Sequence, residues 1–324
     1  MKPLILGGER GTNFEPSGRT EAPVTFLFRF VDGKLPPPEE LAFYVAAQTE
    51  KHSPGDHWST YTYRWHDKNL LRLSLFEVCE LFETVELWFD PAPNDQLQLV
   101  WLLELLGSHP DIEPKLKLRL VDFDLVMAKP EHLAKSKVPV VDVKDKELKT
   151  GSMAWQAYRS TTPQACFDLL ASDLSALPLL KPVLRDLLEE LPSGTTGLGA
   201  TEMRLLELIA AGYWRTFKLF YSDNLRQRRV FKPMEIEYLL EGLAHCPAPA
   251  VTGLDEELRT LGREEYAARE AAHKRSRLTL TEFGKAVLAH KVDFSQHNPI
   301  DRWWGGTHLT NDNLWRWNPA LIAP

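Results

Sequence analysis

Apolar and polar positions change their spacing several times along the chain. LKLRLVDFD sets Leu116, Leu118 and Leu120 against Lys117 and Arg119, the period of two expected of a half-buried strand. TVELWF, from Thr84 to Phe89, predicts a second strand, and KPLILGG a short one running into a glycine turn. PVTFLFRFVDG predicts a strand from Val24 to about Phe30. DQLQLVWLLELLGSHP is dense in apolar residues and stops at Gly107 and Pro110, so a helix is predicted there. PPPEELAFYVAAQTEK places prolines at a helix entrance, acids in the first turn and an apolar stripe behind them; LLRLSLFEVCELFE predicts a further helix. Strand, helix and strand in about forty residues make a βαβ unit, which implies a parallel sheet with a right-handed crossover.

The grammar changes after Ala128. AKSKVPVVDVKDKELKTGS is charged and aperiodic, and the helical stretches MAWQAYRS, TPQACFDLLAS and LPLLKPVLRDLLEELPS follow, with no strand signal until about residue 277. GATEMRLLELIAAG and KPMEIEYLLEGLAHCP predict two helices, and RLTLTEFGKAVLAHKVDF a short strand running into a third. The LTxxGxxVL spacing at Leu280–Leu288 is one that closes winged-helix domains, where a threonine caps the last helix. The expected organisation is an α/β domain over 1–127 with a Rossmann-like parallel sheet, a helical connector over 128–198, and a winged-helix-like domain over 199–324 with a tryptophan-rich tail.

Composition narrows the function classes. At 324 residues the chain exceeds one typical domain, and a 44% apolar fraction supports a sizeable core. A formal charge of −7 argues against a surface coated for nucleic acid. Cys79, Cys166 and Cys246 are far apart and odd in number, which fits neither a disulfide framework nor a zinc site. The N-terminal apolar run is too short for a signal peptide, and no stretch approaches eighteen apolar residues, so a soluble cytoplasmic protein with no membrane partner is expected.

Three stretches carry a resemblance: ELWFDPAPNDQLQLVWLL, LRDLLEELPSGTTGLGATEMRLLE, and LTEFGKAVLAHKVDFSQHNPIDRWWGGTHLTNDNLWRW. In order and spacing they are similar to bacterial proteins carrying the domain of unknown function 1835. The resemblance implies this architecture and a bacterial, cytosolic origin, and it brings no established reaction. Such proteins often carry a histidine and a Gly-Asp-Ser-like turn at the first strand, where this chain reads LILGGERGTNF. Many also carry Glu-His-Asp where this chain has Asp90-Pro91-Ala92, and only Asp95, Gln96 and Leu97 match. Those departures favour binding over catalysis.

The candidate site residues fall in two groups. Asp90, Asn94, Asp95 and Gln96, with Asp122 and Asp124, stand at predicted strand ends, where open α/β sheets bind ligands. They suit a small polar ligand; carboxylates there also suit Mg²⁺, although no metal is assigned. The plainer alternative is that Asn94 or Asp95 caps a helix and the remaining acids are solvated strand ends. LGGERGT, with Gly7, Gly8 and Gly11, is not a dinucleotide fingerprint, because its glycines do not follow the GxGxxG spacing. The second group is Asp301, Arg302 and His308, set among Trp303, Trp304, Trp315 and Trp317. The rings are expected to fold the tail back as a seal, leaving those three polar groups in a low-dielectric setting at a domain junction.

Arg226, Arg228, Arg229 and Lys232, with Lys274, Arg275 and Arg277, form a basic set. The neighbouring helix carries Glu235, Glu237 and Glu241, acids that would repel a duplex, so a protein partner is expected of this domain rather than DNA. DHWSTYTYRWHD, with His57 and His66 among Trp58, Tyr61, Tyr63 and Trp65, is expected to be a half-buried strand. The leading expectation is a non-catalytic or regulatory binding protein with a polar-ligand crevice in the α/β domain. One alternative is an enzyme acting on a phosphorylated or nucleotide-like substrate through Asp90, Asp95 and His308, and another is a DNA-binding regulator. No cofactor is assigned.

Overall fold

The computed structural model describes residues 2–8, 14–61, 68–125, 127–222, 225 and 229–324. The chain divides into two compact units. One comprises Met1–Phe30, Lys34–Ser160 and Asp168–Leu184, the other Val31–Gly33, Thr161–Phe167 and Arg185–Pro324.

The first unit is mixed α/β. Its sheet contains β1 (Leu4–Gly7), β2 (Ala22–Thr25), β3 (Val85–Phe89), β4 (Leu116–Leu120) and β5 (Val141–Asp142) in the order β2-β1-β3-β4-β5. The first four are parallel and β5 runs antiparallel to β4. Register places Ile5 beside Glu86, Gly7 beside Trp88, and Trp88 beside Arg119, so these residues share one face. There Ile5 and Trp88 pack with Phe14, Val121, Leu125, Ala128 and Leu133, the last from α4 (Pro130–Lys135). A polar network crosses this apolar face. The Glu86 carboxylate accepts from Trp88 Nε1 and from Nε and a terminal nitrogen of Arg119, each at 2.7 Å. Arg19 and Arg119 lie 4.9 and 5.2 Å from the Trp88 ring centroid, and Arg19 also donates to the Leu133 and Ser136 carbonyls.

Helix α1 (Pro38–Val45) carries its prolines and acids at the entrance as the sequence predicts, and α2 (Leu75–Leu81) begins at a Ser74–Glu77 capping box. Helix α3 (Pro93–Gly107) is buried along most of its length, and α5 (Asp145–Arg159) packs against it. Gly151 lies against Leu103, and Gly107 against Leu148, so small residues set the approach of the two helices.

Several elements differ from the sequence reading. β2 ends at Thr25: Phe26 N–H still reaches the Gly7 carbonyl, but the Phe26 and Phe28 carbonyls and the Phe30 N–H are held by side chains of α3. Trp58–Tyr61 is a 3₁₀ turn and not a strand, closed by Thr60 N–H on the His57 carbonyl and fixed by Trp58 Nε1 on the Leu73 carbonyl. Tyr63, Trp65, His66 and Gly11 lie outside the described residues. Helix α5 starts at Asp145, inside the stretch that looks like a charged linker, because its first turn faces water.

Two helices follow, α6 (Gln164–Leu169) and α7 (Leu180–Leu188). The second unit then contains α8 (Ala200–Ala210), α9 (Thr216–Phe220), α10 (Pro233–Ala244), β6 (Val251–Thr252), α11 (Tyr266–Arg275), β7 (Thr279–Leu280) and α12 (Glu282–Leu288). β6 and β7 pair antiparallel, so strands appear before residue 277 in this half of the chain. Thr281 caps α12 by accepting from Gly284 N–H at 2.9 Å. A Cβ on Gly284 would lie 2.0 Å from the Ala250 carbonyl oxygen, which accounts for both polar and glycine positions of the LTxxGxxVL spacing. Hairpin β8 (Asp301–Trp304) and β9 (Thr307–Thr310) follows, then β10 (Arg316–Trp317) paired antiparallel with β11 (Leu321–Ile322). No helix among the described residues is long and apolar enough to cross a membrane.

Candidate functional site

β1 pairs with β2 on one side and β3 on the other. The chain therefore winds outward in two directions from β1, and the strand ends there form a topological switch point, where open α/β sheets bind ligands. Gly7 and Gly8 close β1 at this edge, and Phe89 and Asp90 close β3.

The edge gathers Asp90, Asn94, Asp95 and Gln96, all buried. Asp90 binds two separate backbone segments. One carboxylate oxygen accepts from Ala92 N–H at 2.8 Å, the other from Leu125 N–H at 3.0 Å. Gln96 Nε2 donates to the Asp90 carbonyl at 2.7 Å. Asn94 accepts from Phe30 N–H at 2.8 Å and donates to the Phe28 carbonyl at 2.9 Å, and Gln98 donates to the Phe26 and Phe28 carbonyls. One turn of α3 thus takes over the backbone pairing that a longer β2 would have made.

Asp95 occupies the first turn of α3, where the helix dipole favours a carboxylate. Its carboxylate sits directly over Gly8: a Cβ there would come within 2.1 Å of Asp95 Oδ2. Only glycine allows that approach. The Oε1 atoms of Gln96 and Gln98 are buried without a hydrogen-bond partner, and both residues are fully buried. An unpaired buried carbonyl costs roughly 1–3 kcal/mol.

Asp122 follows β4, the parallel neighbour of β3, at the same edge of the sheet, but its side chain is exposed. Asp124 is exposed too, and accepts from Met127 N–H at 3.2 Å. No group of three or more His, Cys, Asp or Glu among the described residues is placed to hold a metal ion.

The second group lies on the β8–β9 hairpin, turned by Gly305 and Gly306, with Gly305 at φ 53°. Alternation sorts its residues. Asp301, Trp303 and His308 share the outer face, with His308 Nε2 2.7 Å from Asp301 and its ring stacked on Trp303 at 4.5 Å. The Asp301 side chain is 81% exposed and that of His308 44%, so this pair is solvated. Arg302 and Trp304 share the inner face. Arg302 pairs with Glu202 at 2.8 Å, and the buried Trp304 donates Nε1 to the Leu187 carbonyl at 2.7 Å. Trp317 is also buried and bridges to Ser193, while Trp315 is intermediate. Arg316 reaches the Ser193 carbonyl and pairs with Asp293 at 2.9 Å. The tail therefore fastens the SGTTG loop.

Of the basic set, Arg226 and Arg228 lie outside the described residues. Arg229 donates to the Ser222 carbonyl, Lys274 pairs with Glu270, and Arg275 with Asp255 and Glu257. Glu237 and Glu241 on α10 turn to the buried Arg269. Sequence reading took Gly8 only as part of a glycine turn, and it missed Gln98 and the Arg19, Glu86, Arg119 network. Gly8 carried a signal, a second glycine directly after a strand; the network joins residues too distant in sequence to carry one. No protein-family model matches the chain, and no curated protein aligns with it significantly.

Proposed function

We propose that the chain is a binding protein for a small polar ligand that docks where β1 and β3 end. The observation that carries this reading is the Asp95 carboxylate seated over Gly8 at the switch point. An acceptor-rich edge of that kind suits a ligand presenting hydroxyl or ammonium donors. Asp90 supports binding over catalysis. Both of its oxygens already accept backbone N–H bonds, so it is committed to the loop and is a poor proton carrier. The departures from the 1835 pattern at Asp90-Pro91-Ala92 are consistent with the same reading.

The second unit is read as winged-helix-like in its 200–288 segment. Three helices lead into the β6–β7 ribbon, with α11 inserted between its strands. Its role in this proposal is contact with a protein partner. Arg275 is held by both Asp255 and Glu257, which supports protein over duplex DNA.

The test is a thermal-shift panel of nucleosides, free sugars and small amines on the full chain. A ligand at about a hundred times its Kd stabilises by about 2.7 kcal/mol. At least one probe is expected to raise the wild-type Tm and to fail on Asp95→Asn. A probe that stabilises both proteins equally binds elsewhere and removes the proposal.

A further inference from the structure

A groove of about 860 Å³ opens on the second unit between the end of α8, the loop after it, β7 and α12. We infer that it binds an anionic amphiphile, an acyl or aryl chain carrying a carboxylate. The site is separate from the strand-end edge and does not depend on that reading.

Three observations point there. First, the floor is apolar: Ile209, Leu280 and Leu288 line it, and Gly212, at φ 94° with open space around it, brings no side chain to its mouth. The volume lies within the range of roughly 300–1,000 Å³ usual for small-molecule sites. Second, Trp214 lines the groove with 39% of its surface exposed. Its backbone is fixed by Leu278 N–H on its carbonyl at 2.9 Å. A large ring held in place without being buried is the kind of surface ligands use.

Third, the charge is one-sided. In a chain of formal charge −7, the charged residues lining the groove are Arg277 and Lys285, both cationic. Arg277 is preorganised, because one terminal nitrogen donates to the carbonyls of Lys274, Arg275 and Ser276, with the guanidinium 5.0 Å from the Trp214 ring centroid. Arg215 stands 4.5 Å from the same ring. Lys285 pairs with Glu282 in an exposed contact that holds it weakly, so it can turn to a bound carboxylate. An apolar tail on the floor with its acid beside Arg277 and Lys285 satisfies both chemistries together.

The experiment uses the full chain and 8-anilinonaphthalene-1-sulfonate as the fluorescent probe, displaced by decanoate, decanol or decylammonium below their micelle concentrations. One probe site is expected, with decanoate at least about tenfold stronger than decylammonium, the scale of a charge-assisted hydrogen bond. Arg277→Gln should weaken decanoate about tenfold by the same reasoning and leave decanol unchanged. Leu288→Glu should abolish probe binding, and Trp214→Ala, at a more exposed position, should weaken it with little change in Tm. Equal displacement by all three chains overturns the inference, as does probe binding undiminished in both floor and wall variants. Binding of an acidic amphipathic peptide without any of decanoate overturns it in favour of a protein-docking groove.

Discussion

In sequence, the strand-end edge of the first unit resembles the C-terminal hairpin of the second unit, since each packs polar residues among large apolar ones. Folded, they part company. At the edge, Asp90, Asn94, Asp95 and Gln96 are all buried, because a helix start is laid against strand ends. In the hairpin, a period of two sends Asp301 and His308 to water and Arg302 and Trp304 inward. Clustered polar residues therefore indicate a site only once the local period shows where they point.

The contrast is broken most severely by removing the tail. Deleting residues from Asp301 onward strips Trp304, Leu309 and Trp317 from the second unit, all buried. Each large aromatic is worth about 3–5 kcal/mol on truncation, against a total of about 5–15 kcal/mol. An insoluble or non-cooperatively melting product is expected in calorimetry; a truncated chain with an unchanged Tm contradicts the seal.

Single substitutions sharpen it. Trp304→Ala should cost about 3–5 kcal/mol in urea unfolding, whereas Trp303→Ala, on the outer face and only partly buried, should cost clearly less. Equal costs would erase the distinction between the two faces. In the first unit, Glu86→Ala leaves Arg119 without its bidentate partner at 2.7 Å and should also cost about 3–5 kcal/mol.

A smaller effect comes from His57. Burial lowers its pKa below the ordinary 6.5, with its ring bonded to Ser59 Oγ and the Ala46 carbonyl. The unfolded chain then takes up the proton at a higher pH than the folded one. Its contribution is complete above pH 6.5 and is lost as pH falls below it. His57→Gln should flatten the fall of Tm between about pH 7 and 5.5, and His245, lowered the same way, will supply a remaining slope. The least perturbing probe is alkylation. Burial pushes the Cys79 thiol up to about 12 and raises Cys166 as well, so iodoacetamide on the native protein should label the partly exposed Cys246 first.

Much of the first unit is legible in the sequence. β3, α3 and β4 follow directly from a change of period, and α1 from its prolines and acids. Composition extends β2 too far, because Phe26–Phe30 has the residues of a strand while its pairing comes from Asn94 and Gln98, more than sixty residues away. Periodicity starts α5 too late, because its first turn buries almost nothing. At the candidate site, the residue types and their edge are visible in Asp90 to Gln96. Gly8 over Asp95 is not, since contact between a strand end and a helix start exists only after the sheet order is set.

Gly8→Ala tests the central claim most directly. The added Cβ collides with Asp95, with Cγ as well as both carboxylate oxygens, so it displaces that buried side chain. Isothermal titration compares wild type and variant with whichever nucleoside, sugar or amine stabilises the wild-type chain. The account predicts binding to the wild type and a loss of at least about tenfold in the variant, equivalent to about 1.4 kcal/mol, with the variant still folding cooperatively. Undiminished affinity in Gly8→Ala would contradict it.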